Sequence, residues 1–74
     1  MSVVMWEVRA AAGRIDELVE YVCAHADPRA QVYRADDADP RVVVIDPSGR
    51  GVGDVPGELV ARPGHQWSFE QVAR

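Results

Sequence analysis

The sequence predicts an α+β fold, an antiparallel four-stranded sheet with one full helix, in a single domain spanning residues 1–74. Three observations predict it. Two runs, Val3-Val4-Met5-Trp6 and Val42-Val43-Val44-Ile45, are apolar at every position, whereas a strand with one wet face alternates, so each run reads as a central strand covered on both sides. Two other stretches, around Tyr33 and around Trp67, mix polar and apolar positions as edge strands do. One stretch, between the first apolar run and Tyr33, spaces its apolar residues as a helix does. The order is strand, helix, strand, strand, short helix, strand.

The first strand is residues 3–9. Val4, Trp6 and Val8 share one face; Val3 and Met5 share the other, which turns polar at Glu7 and Arg9. Residues 10–13 make a turn. The helix covers residues 14–26, where Ile15, Leu18, Val19, Val22 and Ala26 form one apolar stripe. Asp16 and Glu17 suit the positive end of its dipole, and His25 suits the negative end. Asp27-Pro28 stops it, because a residue before proline avoids the helical region.

The second strand is residues 29–35. Gln31, Tyr33 and Ala35 share one face, and Ala30, Val32 and Arg34 the other. Asp36-Asp37-Ala38-Asp39-Pro40 has hairpin-loop composition, and residues 41–46 form the third strand. Residues 47–57 are too rich in glycine and proline to hold regular structure for long. One or two helical turns are expected over 58–62. The last strand is residues 66–73, with Trp67 and Phe69 on one face and Gln66, Ser68 and Glu70 on the other. Doubly apolar strands belong in the centre and mixed ones at the edges. That gives the spatial order 4-1-3-2.

A chain of 74 residues has little material with which to cover two faces of a sheet. Small domains compensate with disulfides, metal or oligomerisation. The single cysteine, Cys23, excludes an internal disulfide, and no Cys/His cluster has structural zinc spacing. A homodimer is therefore expected. The net charge of −4 and the lack of a basic run argue against nucleic acid. No apolar stretch approaches the ~20 residues of a membrane span. No basic segment precedes the first strand, so no signal peptide and a cytoplasmic location are expected. All eight basic residues are arginine, and Lys, Asn and Thr are absent, a bias typical of a GC-rich bacterial genome. Schiff-base lysine chemistry and a threonine nucleophile are thereby excluded. No cofactor is expected.

The residues Val3-Val4-Met5-Trp6-Glu7-Val8-Arg9, Gly13-Arg14-Ile15-Asp16-Glu17-Leu18, Tyr33-Arg34-Ala35, Val42-Val43-Val44-Ile45 and Trp67-Ser68-Phe69 resemble the ferredoxin-like fold. Within it they resemble the dimeric α/β-barrel superfamily, which includes antibiotic-biosynthesis monooxygenase-like and stress-responsive barrel proteins. The resemblance covers residues 3–46 and the final strand. It implies that two sheets associate through their helix-free faces. Relatives usually carry a full second helix between the third and fourth strands, where this chain has its Gly/Pro segment. No catalytic residue of the monooxygenases matches a position here, so the catalytic residues are unknown.

Several constellations have both a chemical and a plain reading. Cys23-Ala24-His25 offers two metal ligands or a thiolate, but residues two apart on a helix do not converge. Cys23 is instead expected at the core margin, where free cysteine usually packs, with His25 capping the helix end. His65 could pair with His25 on a metal or act as a base; beside a turn it is expected to be solvated. No metal site is expected, and Cys23, His25 and His65 are the residues that would form one. Gly49-Arg50-Gly51-Val52-Gly53 follows a strand, as a phosphate loop does, but lacks the Gly-Lys-Ser/Thr ending. It reads as a flexible loop, with a mobile lid or partner-contacting arm as the functional version. Asp36, Asp37 and Asp39 lack the glycine and glutamate of a calcium loop and read as solvated.

Trp6 is expected in the core with Val4 and Val8. Val3 and Met5, with either Val42/Val44 or Val43/Ile45, then form an uncovered apolar patch. The candidate ligand or interface residues are Val3, Met5, Tyr33, Val43, Ile45 and Trp67. The expected role is a small homodimeric, non-enzymatic module that binds a small apolar ligand or a protein partner. The alternatives are a cofactor-free monooxygenase-like enzyme and a metal-binding protein.

Overall fold

A computed structural model describes residues 2–74. In chain order it contains β1 (Ser2–Arg9), α1 (Ile15–His25), β2 (Gln31–Ala35), β3 (Arg41–Asp46), a 3-10 turn (Gly57–Leu59) and β4 (His65–Glu70). The four strands form one sheet in the order β2-β3-β1-β4, with every neighbouring pair antiparallel. This is the order that the apolar patterning implies. The two doubly apolar strands lie in the centre, and the arrangement of helix and sheet roughly fits the ferredoxin-like one.

The register sorts the side chains into two faces. Val32, Val44, Trp6 and Gln66 stand in one row across the sheet, and Arg34, Val42 and Val8 in the next. These rows face α1's side of the sheet, and the helix itself sits over β2 and β3. Leu18 and Val22 descend from the helix onto them, and both are fully buried with Val42 and Val44. Trp6, Val8, Val52 and Leu59 complete this core. Each buried aliphatic side chain contributes about 1.5–3 kcal/mol.

Local chemistry sets the helix ends. Gly13, at φ +72°, makes the turn into α1. Arg14 pairs with Glu17 through its Nε at 2.9 Å and its Nη2 at 2.7 Å. At the other end Ala26 is already extended, and its N–H donates to the Val22 carbonyl, just before Asp27-Pro28. The Asp27 carboxylate and carbonyl accept the N–H groups of Arg29 and Ala30. That turn delays β2 to Gln31, two residues later than its composition suggests.

The Gly/Pro segment shares α1's side of the sheet. Val52, Val55 and Leu59 pack into the same core as the helix, so this segment stands where a second helix would otherwise lie. The helical turns expected over 58–62 shrink to the single 3-10 turn. Val60 is extended and bridges Ala10. Ala11 N–H donates to the Leu59 carbonyl and Ala61 N–H to the Arg9 carbonyl, both at 2.9 Å. Pairing with the end of β1 wins over so short a helix, for which nucleation is unfavourable. β4 ends at Glu70, short of the expected residue 73, and its last paired position is Glu70 opposite Ser2. Residues 71–74 run past that last paired position.

Candidate functional site

The face of the sheet away from α1 gathers the sequence-derived candidates. Gln31, Ile45, Met5 and Trp67 form one row across it; Tyr33, Val43, Glu7 and His65 form the next; Val3 pairs with Phe69. Val3, Met5, Tyr33, Val43, Ile45 and Trp67 are thus all on one side. Of the two valine pairings left open above, Val43/Ile45 lies here and Val42/Val44 lies beneath the helix. Phe69 belongs to the same patch and was absent from the candidates. The Trp67–Phe69 alternation was the signal that placed it.

Neither α1 nor the Gly/Pro segment covers this face. Tyr33 is 52% exposed, Trp67 44% and Phe69 50%. Val3, Met5, Val43 and Ile45 are half-buried by their neighbours alone. The charges of the face collect toward one end. There Arg41 lies 3.8 Å from Glu7 and 3.1 Å from Asp37, and Arg9 pairs with Asp39. His65 stacks near Trp67 with ring centroids 5.8 Å apart. An apolar centre with paired charges at its margin matches the anatomy of a protein–protein contact.

At the far end of β3 the chain buries a carboxylate. Asp46 is fully buried, and it is the one buried charged residue among the described residues. Its Oδ1 accepts Ser48 N–H at 2.8 Å and Ser48 Oγ–H at 2.6 Å, and its Oδ2 accepts Gly51 N–H at 2.8 Å. Burial pushes its pKa up, but the bonds from the Ser48 hydroxyl and the two backbone N–H groups outweigh it and leave the pKa lowered. Gly49 and Gly51 take positive φ, +79° and +71°, to wrap the chain around it. The Arg50 guanidinium reaches Asp27 at 2.6 Å. The N–H of Arg29, its guanidinium and that of Arg50 hold the Asp27 carboxyl well below the usual carboxylate range.

The first half of the segment expected to be a flexible loop is therefore tied down at Asp46 and at Asp27. The N–H groups of Gly49, Arg50 and Gly51 are taken by the Asp46 carbonyl, the Ser48 hydroxyl and the Asp46 carboxylate. Asp46 went unnoticed as a site residue, although Asp-Pro-Ser-Gly is a strong turn signature and Gly49 N–H does donate to the Asp46 carbonyl at 3.2 Å.

The three potential metal ligands do not converge. Cys23 is exposed, which corrects its expected place at the core margin. The buried stripe runs through Leu18 and Val22, and Cys23 lies one step around the helix from it. His25 is at the helix end as expected, its Nδ1 2.8 Å from the Tyr21 carbonyl and its ring stacked on Tyr21 at 4.0 Å. His65 is across the sheet, on the open face. Among the described residues no group of three or more His, Cys, Asp or Glu side chains could hold a metal ion. Of the β2–β3 hairpin acids, Asp36 and Asp37 are exposed and Asp39 half-buried, and none is free. Asp36 holds Arg34, Asp37 holds Arg41 and Asp39 holds Arg9. The Asp39 N–H, followed by Arg41, lowers the Asp37 pKa against burial.

On α1's side of the sheet, beside the helix, a groove of about 730 Å³ opens. Trp6, Val8 and Gln66 form its floor, and residues 52–64 form its wall, with Val55, Val60 and Arg62 among the lining side chains.

Comparison of the chain with protein-family models, with curated proteins and with solved structures returns no match. No helix among the described residues is long and apolar enough to cross a membrane.

Proposed function

We propose that this chain is a homodimeric, non-enzymatic binding module of the dimeric α/β-barrel kind, cytoplasmic and bacterial, in which a second copy covers the open sheet face. The observation that carries the reading is the set of seven apolar side chains, Val3, Met5, Tyr33, Val43, Ile45, Trp67 and Phe69, on one face that no element among the described residues overlies. Three half-exposed aromatic rings alone leave about 300 Å² of apolar surface in water. With the aliphatic residues between them this makes one contiguous patch at the upper end of what a monomer exposes. A two-fold dimer buries the same patch on both copies. It leaves Glu7, Arg9 and Arg41 toward the margin, where their ion pairs stay solvated. The dimer then presents its two helical layers to a small apolar ligand or a protein partner. Size-exclusion chromatography with light scattering tests the assembly. The reading requires a mass twice the 8.1 kDa of the chain at high micromolar concentration, and a mass of one chain there removes it.

A further inference from the structure

The groove beside α1 contains a polar group without a partner. Trp6 is only 6% exposed, yet its indole N–H meets no acceptor among the described residues. Among the described residues no fully buried side-chain nitrogen or oxygen lacks a partner, so this N–H is not fully shielded, and Trp6 lines the groove. It lies beneath Gly64, where a Cβ would come within 3.5 Å of Nε1. Gly64 lines the same groove. A donor that has no protein acceptor and is not fully shielded is open to an acceptor from outside the chain.

The remaining lining defines what that acceptor belongs to. Arg62 borders the groove and forms no ion pair among the described residues. The volume lies within the ~300–1,000 Å³ typical of small-molecule sites. Val8, Val52, Val55 and Val60 give an apolar wall without hydrogen-bonding groups on their side chains. Asp54 also borders the groove; its side chain is exposed to water, and its backbone carbonyl is held by the Tyr21 hydroxyl at 3.0 Å.

We infer that this groove binds a planar apolar molecule carrying a carboxylate, with the ring against the valine wall and the anion at the Trp6 N–H and Arg62. The inference supplies a ligand class for the binding role proposed above and rests on that role. It does not rest on the dimer contact, which uses the opposite face of β1.

The chain's two tryptophans make the test direct, because Trp6 lines the groove and Trp67 lies on the open face. The full chain, ¹⁵N-labelled, is titrated with 1-naphthoate while both indole N–H signals are followed. The Trp6 signal is expected to move saturably, with half-saturation below about 1 mM, while that of Trp67 stays in place. Arg62→Gln, a change at an exposed side chain, is expected to weaken naphthoate about tenfold and to leave the neutral 1-naphthalenemethanol unchanged. An unmoved Trp6 signal, a response at Trp67 instead, or equal effects of Arg62→Gln on both probes overturns the inference. A monomeric mass with an intact Trp6 response removes the dimer and keeps the groove. A dimeric mass with a silent Trp6 does the reverse.

Discussion

Replacing Asp46 by asparagine keeps the shape of the side chain and removes its charge. Asparagine can accept on one side only. With its carbonyl kept on Ser48, its NH2 points at the Gly51 N–H, donor against donor. One charge-assisted bond is lost, a buried N–H loses its acceptor, and the two surviving bonds become neutral. Bonds to a charged group contribute about 1.5–3 kcal/mol net, so the substitution is expected to cost about 2–4 kcal/mol. A chain of this size holds only about 4–11 kcal/mol of folding free energy, so the loss is a large share of the whole. Urea unfolding followed by tryptophan fluorescence measures it. With a slope near 1 kcal/mol/M the midpoint falls by about 2 M or more. Ser48→Ala removes the hydroxyl bond to the carboxylate and the acceptor of the Arg50 N–H, and is expected to cost about 1.5–3 kcal/mol.

The acid limb gives a second reading of the same carboxylate. Its folded pKa lies below the ordinary 3.8. Its contribution is therefore fully present above that value and drains away as pH falls through the folded pKa. The gap between wild type and Asp46→Asn is expected to narrow below about pH 4. If Asp46→Asn stays within about 0.5 kcal/mol of wild type at neutral pH, the carboxylate does not organise the turn and the reasoning fails.

Three further outcomes follow from burial. Leu18→Ala, at a fully buried site facing Val42 and Val44, is expected to cost about 2–5 kcal/mol in the same urea assay. Cys23→Ser is expected to change stability by less than about 0.5 kcal/mol. Native Cys23 is also expected to react with a thiol reagent without prior unfolding, since it is exposed. Val43→Glu places a carboxylate on the open face opposite Glu7. It is expected to give a folded monomer by circular dichroism and light scattering, and a dimer that survives it would place the contact elsewhere.

The strand order was legible because apolar patterning reports burial directly. A strand apolar at every position, such as residues 42–45, has to be central, and a mixed one such as 31–35 can sit at an edge. Which of Val42/Val44 and Val43/Ile45 faces the helix was not legible. That depends on the register against Val8 and Trp6, which a run without alternation does not encode. Cys23 was misplaced because the burial tendency of free cysteine was preferred over helical geometry, and the stripe through Leu18 and Val22 already excluded it. The Asp46 turn was readable in Asp-Pro-Ser-Gly, but its burial was not, since that comes from Gly51 returning five residues later. The groove had no sequence signal of its own. It exists because residues 57–61 pair with the end of β1 and leave the neighbouring sheet only partly roofed.

The account turns on what covers the open face. Isotope-filtered NOE spectroscopy on a mixture of labelled and unlabelled chains sees contacts between copies and nothing else. The account predicts intermolecular contacts from the Met5 and Ile45 methyl groups to aromatic protons of Trp67, Phe69 or Tyr33. Intermolecular contacts confined to α1, or none at all at high micromolar concentration, contradict it.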